Sequence, residues 1–128
     1  MNHANCWFFG QTYDELTISN LIYNATVCVS PGNVGLTAIH SMVYGTPVIT
    51  HNDFPSQMPE FEAVIAGKTG DFFIKDNEED LGRVIKKWTS PNVDREEVRK
   101  ECYRIIDERY NPIFQISVFK KVLNEEPE

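Results

Sequence analysis

Residues 26–50 constrain this chain more than any other stretch. Thr26-Val27-Cys28-Val29-Ser30 is rich in β-formers and apolar at its centre, as strands covered on both faces tend to be. Pro31-Gly32-Asn33 then breaks the strand, because proline removes a ladder donor and glycine turns the chain at no steric cost. A helix is expected over 34–44, stopped by Gly45 in a C-terminal cap role. Pro47-Val48-Ile49-Thr50 is the next short strand. Strand, turn, helix and strand in such close succession predict parallel pairing across a helical crossover.

The flanking segments extend the alternation. Cys6-Trp7-Phe8-Phe9, closed by Gly10, suits a buried strand. Thr12 or Asp14 can cap a helix whose apolar positions are Leu16, Ile18, Leu21, Ile22 and Tyr23. Residues 51–59 carry two prolines and polar side chains, as a surface loop does. A short helix over 60–66, ended by Gly67, leads to a strand over 71–74. Helices follow from Asp76 or Asn77 to about Trp88, from Asp94 to about Arg109, and from Pro112 to about Leu123. Trp88 and the apolar positions of the last helices are expected in a core or an interface. The fold class implied is α/β, a Rossmann-like parallel sheet with helices on both faces, in a single unit over 1–128.

Charge narrows the function. The formal charge is −7, and all 12 Lys and Arg residues lie at or after Lys68. Nucleic-acid binders carry a basic stripe, so that class is set aside. Cys6, Cys28 and Cys102 are odd in number, far apart and without zinc-type spacing, which argues against a disulfide scaffold. The first residues lack the basic and apolar regions of a signal peptide, and no apolar run nears the ~20 residues that span a bilayer. A cytoplasmic location is the expectation.

In α/β sheets, ligands bind beyond the carboxyl ends of the strands. Val29-Ser30-Pro31-Gly32-Asn33-Val34-Gly35-Leu36-Thr37 is the candidate, since its two glycines allow close approach and free amides at a helix start favour an anion such as a diphosphate. Glycine also serves βα turns for conformational reasons alone. The run from Ser30 through His40 to Gly45-Thr46-Pro47-Val48-Ile49 resembles the donor-site signature of family 4 retaining glycosyltransferases, which have the GT-B fold. Two more segments match that family in order: Glu60-Phe61-Glu62-Ala63-Val64-Ile65-Ala66-Gly67-Lys68-Thr69-Gly70 downstream and Phe8-Phe9-Gly10 upstream.

The resemblance implies the donor-binding, C-terminal portion of a GT-B enzyme, incomplete here. Such an enzyme transfers a sugar from a nucleotide diphosphate donor to a saccharide or lipid-linked acceptor with retention, in polysaccharide or glycan biosynthesis. Gly32, Asn33, Val34, Gly35, Leu36 and Thr37 would then receive the diphosphate, and His40 the ribose. Gly10 and Gln11, with Tyr13, fall where the base is held, and Glu60 or Glu62 where the sugar pocket is shaped.

The family places two glutamates, seven residues between them, around this turn. Here Gly32 takes the first position and His40 the second. No catalytic residue is therefore assigned. Imidazole can still hydrogen-bond a hydroxyl, while the alternative for His40 is a helix histidine satisfied by its neighbours. Asn33, Leu36, Thr37 and His40 would share one helix face. Asn and Asp in the set His51, Asn52 and Asp53 favour an exposed turn over a site. Glu60 and Glu62 also read simply as helix-start carboxylates.

No cofactor or metal is implied; the nucleotide-sugar is the substrate. The upstream acceptor domain and the basic residues that neutralise the diphosphate lie outside this chain, so weak nucleotide binding, no transfer by the chain alone, and self-association through an open edge are expected. In the full enzyme a peripheral position at the inner membrane is implied. The alternative is a non-catalytic α/β binding or interaction module that keeps the fold without the chemistry.

Overall fold

A computed structural model describes residues 5–124. Three parallel strands, β1 (Cys28–Val29), β2 (Val48–His51) and β3 (Gly70–Phe73), form one sheet in the order β1-β2-β3. Cys28 pairs with Val48, and Val48 in turn with Gly70. Gly70 has no alternative here, because a Cβ at that position would lie 1.8 Å from the Val48 carbonyl oxygen. Five helices accompany the sheet: α1 (Glu15–Asn24), α2 (Thr37–Val43), α3 (Glu78–Trp88), α4 (Arg95–Arg109) and α5 (Pro112–Asn124).

Neighbouring strand residues point to opposite faces, and β2 uses both. Val48 joins Ala38 and Met42 of α2 and Cys102 and Ile105 of α4 on one face. Ile49 joins Phe73, Val84 and Trp88 of β3 and α3 on the other. The expected α/β sheet, parallel and flanked by helices on both faces, is what forms. Every residue of β2 is buried, which is why its sequence is uniformly apolar or hydrogen-bonded rather than alternating.

Local signals set several helix ends. Asp14, not Thr12, caps α1 by accepting from the Thr17 amide at 3.2 Å. Asn77 caps α3 and Asp94 caps α4 in the same way. Gly45 ends α2, with its N–H on the Met42 carbonyl at 2.9 Å. Arg99 ties α4 to the ends of α1 and α2: it donates to the Tyr44 and Tyr23 carbonyls at 2.7 and 3.3 Å and lies over the Tyr23 ring.

Other expectations fail for identifiable reasons. Residues 6–9 form no strand; Trp7 and Phe8 are 75% and 85% exposed. Among the described residues no strand pairs with them, and an apolar run without a ladder partner stays coil. The helix expected over 60–66 is a 3₁₀ segment, Pro59–Ala63. There the Phe61 and Val64 amides bond three residues back, and Thr69 Oγ1 takes the Ala63 carbonyl at 2.7 Å, turning the chain toward β3. The helix expected from Val34 begins instead at Thr37, because Gly35 adopts φ +47, outside the right-handed helical region. His51 is not in a surface turn but 1% exposed at the end of β2. Trp88 is in the core as expected, whereas no residue of α5 is buried.

Candidate functional site

The loop at the carboxyl end of β1, residues 30–36, faces a second loop that follows β2. Side chains from this second region hold three consecutive residues of the first. Thr50, fully buried, donates its hydroxyl to the Gly32 carbonyl at 3.1 Å. His51 Nε2 meets the Asn33 Oδ1 at 3.0 Å, and Gln57 Oε1 accepts from the Val34 amide at 3.0 Å. The Gln57 amide group completes the set by donating Nε2 to Thr50 Oγ1 at 2.9 Å and to the His51 carbonyl at 3.0 Å.

Backbone partners fix the chemistry of this network. The Asp53 N–H donates to His51 Nδ1 at 3.2 Å, so Nδ1 is unprotonated and Nε2 carries the hydrogen given to Asn33. A carbonyl cannot donate and an N–H cannot accept, so the Gln57 amide has one admissible orientation. Gln57 itself is placed by the short 3₁₀ turn Phe54–Ser56. That turn is anchored by Phe54 stacked on Phe61 and edge-on to Phe72, with 5.0 Å between ring centroids in each pair. Asp53 accepts from the Ser56 hydroxyl at 2.5 Å and pairs with Lys75 at 3.1 Å; the Ser56 bond first, and Lys75 second, hold its carboxyl below the usual carboxylate range.

Gly35, Leu36 and Thr37 lie just past the held residues. Their N–H groups have no acceptor among the described residues, and α2 has no side-chain cap. The loop carries no Lys or Arg and no Asp or Glu. It therefore presents amide donors alone, which carry only partial charge.

Two grooves flank the loop. One, of about 260 Å³, runs from Pro31 to Phe73, Leu81 and the start of α3, with the acidic side chains of Asp76 and Glu78 at its rim. The other, of about 370 Å³, lies between Leu36 and Ile39 on one wall and Glu60, Glu62, Tyr110 and Gln115 on the other. Glu60 Oε2 is buried there without a hydrogen-bond partner among the described residues. Burial, reinforced by Glu62 and Glu60 against the opposing Arg109, raises the Tyr110 hydroxyl.

The predicted residues are thus only partly assembled. Gly32, Asn33, Val34, Gly35, Leu36 and Thr37 form one continuous loop, and Leu36 reaches the groove that holds Glu60. Asn33 precedes α2 and is turned toward His51. His40 turns elsewhere: its Nε2 donates to Glu15 Oε1 at 2.9 Å, and Tyr44 donates to the same carboxylate. The Tyr44 hydroxyl first, and His40 second, hold Glu15 below its ordinary range. Gly10 and Gln11 are exposed, and Gln11 bonds only the Tyr13 hydroxyl. Thr50, His51 and Gln57 are the residues that sequence reasoning missed. Gln57 meets Val34 across 23 positions, and no local pattern announces such a bond. A histidine directly after an apolar strand was the single available hint.

No family model, curated protein or solved structure matches this chain. Among the described residues no helix is long and apolar enough to cross a membrane, and no group of three or more His, Cys, Asp or Glu could hold a metal ion.

Proposed function

We propose that this chain is the donor-binding portion of a retaining glycosyltransferase of the GT-B type, acting on a nucleotide diphosphate-sugar. The observation that carries the reading is the 32–37 loop. It stands at the carboxyl ends of parallel strands, is held at three successive residues, and leaves the Gly35, Leu36 and Thr37 amides without an acceptor among the described residues. Those amides would take the diphosphate. His40 donates through Nε2 to Glu15, so in the neutral ring Nδ1 is free to accept from a ribose hydroxyl. Glu60 and the groove beside Leu36 would receive the sugar, and Gly10 and Gln11 would lie toward the base. The acceptor, a saccharide or a lipid-linked saccharide, would be bound by a further domain, with the whole enzyme at the cytoplasmic face of the inner membrane.

Titration of labelled protein with UDP and GDP, followed by NMR, tests this. Shifts concentrated on Gly32, Asn33, Val34, Gly35, Leu36, Thr37 and His40 are expected, at weak affinity and without sugar transfer by the chain alone. Absence of shifts at these residues at millimolar nucleotide sinks the reading for this chain. A second reading, a non-catalytic interaction module, is favoured by one observation: α5 exposes Ile113, Ile116, Phe119, Val122 and Leu123, each more than half open to solvent.

A further inference from the structure

A helix of ten residues is not stable by itself in water, and in proteins the packing of an apolar face normally holds it. The helix α1 has that length and no buried residue. None of its side chains belongs to either apolar cluster that flanks β2. Other forces must hold it in place.

The ties are polar and lie at its two ends. Carbonyls of a last helical turn have no partner within the helix, and here three side chains meet that end from outside. Thr46 donates its hydroxyl to the Ile22 carbonyl at 2.6 Å, Arg99 an N–H to Tyr23 at 3.3 Å, and Arg95 an N–H to Ala25 at 2.9 Å. Arg99 does the most. Its guanidinium also donates to the Tyr44 carbonyl at 2.7 Å, and its central carbon stands 4.0 Å from the centroid of the Tyr23 ring. Its stem passes Gly45 so closely that a Cβ there would lie 2.3 Å from Arg99 Cγ. At the other end Glu15 accepts from His40 and Tyr44. Glu15 and His40 are both exposed, and such pairs contribute little. The chain rejoins a core only at Val27, which packs against the Ile49 cluster.

We infer that α1 is a strap, which detaches from α2 and α4 as a unit while both cores stay closed, with Arg99 as its clasp. Release frees residues 5–25 together, including the exposed rings of Trp7, Phe8 and Tyr13, and uncovers the His40 and Tyr44 side chains on α2. Detachment needs no ligand and is independent of the donor-site reading.

Amide hydrogen exchange measured in rising urea tests this, because it separates local opening from global unfolding. The Ile18 and Ala25 amides bond the Asp14 and Leu21 carbonyls, and the Val48 amide of β2 bonds Thr69. In the wild type, Ile18 and Ala25 are expected to exchange about tenfold or more faster than Val48. Their dependence on urea should be much shallower, since a small opening exposes little surface. Arg99→Met keeps the stem and removes every donor, so exchange at Ile18 and Ala25 should quicken by about tenfold. Val84→Ala, in the core beside α3, should quicken Val48 and leave the α1 amides unchanged.

Equal urea slopes for the α1 and Val48 amides in the wild type overturn the strap, since α1 would then leave only with the whole fold. That outcome requires no variant to fold. Shallow slopes with α1 exchange unaltered in Arg99→Met overturn the assignment of Arg99 as the clasp.

Discussion

At the scale of single residues, the interior of this protein uses polar side chains as cross-links between loops. Thr46, Thr50, Thr69, Ser41 and His51 are all buried, and each has a backbone or side-chain partner. An unpaired polar group in such a place would cost about 1–3 kcal/mol. Gly35 shows the backbone side of the same requirement. At φ +47 a side chain is strained, so Gly35→Ala should lower stability by about 1–2 kcal/mol, measured as an earlier urea midpoint with an unchanged slope.

Asp71 carries a pH prediction. Burial alone would raise its pKa, but the Lys87 ammonium at 2.7 Å, the Phe72 amide and the Trp88 indole N–H at 3.2 Å outweigh it, leaving the pKa below 3.8. A carboxyl depressed on folding stabilises the native state fully above its unfolded value. That contribution is lost as the pH falls from 3.8 through the lower folded value. Asp71→Asn should therefore flatten this part of the stability profile in urea titrations run from about pH 5 down to about pH 2. Equal slopes for the two proteins would refute the assignment.

Among the elements, α3 shows most directly how pattern becomes packing. Leu81, Val84, Ile85 and Trp88 recur at helical spacing, and the last of them closes the core over Ile49 and Phe73. Trp88→Ala should cost about 3–5 kcal/mol, enough to consume much of a small domain's stability, and calorimetry would show it as a large drop in Tm. Existence and type of α1, α3, α4 and α5 were legible because caps and periodicity are local. The start of α2 and the end of the 3₁₀ segment Pro59–Ala63 were not, because Gly35 takes a left-handed conformation ahead of the one and Thr69 bonds the Ala63 carbonyl at the other. The apolar run at 6–9 failed for the converse reason: it had the composition of a strand but pairs with none among the described residues.

For the whole molecule, the balance between covered and uncovered apolar surface matters most. The two clusters flanking β2 are closed, yet Trp7, Phe8, Tyr13 and Leu16 at one end of the chain and Ile113, Phe119 and Leu123 at the other are strongly exposed. β1 is a two-residue edge strand with one side unpaired. Surfaces of this kind associate, so sedimentation velocity should show concentration-dependent self-association. The double variant Phe119→Glu, Leu123→Glu should reduce it while leaving Tm nearly unchanged, because neither residue contributes to the core. A fall in Tm of several degrees would instead mean that α5 is an integral part of the packing.

The sequence by itself determined the alternation of strands and helices, the parallel α/β class, the position of the glycine loop and the cap that starts α4, and it narrowed the caps of α1 and α3 to two residues each. Each of these is written in neighbouring residues, where steric limits, hydrogen bonding and side-chain period act over a few positions. Tertiary structure alone decided that residues 6–9 would lie outside the sheet, that His51 would be buried against Asn33, and that His40 would turn to Glu15. It also decided that Gln57 would hold the loop. Those outcomes depend on which groups meet across the fold, and a donor finds its acceptor only after the sheet and its helices have brought the two together.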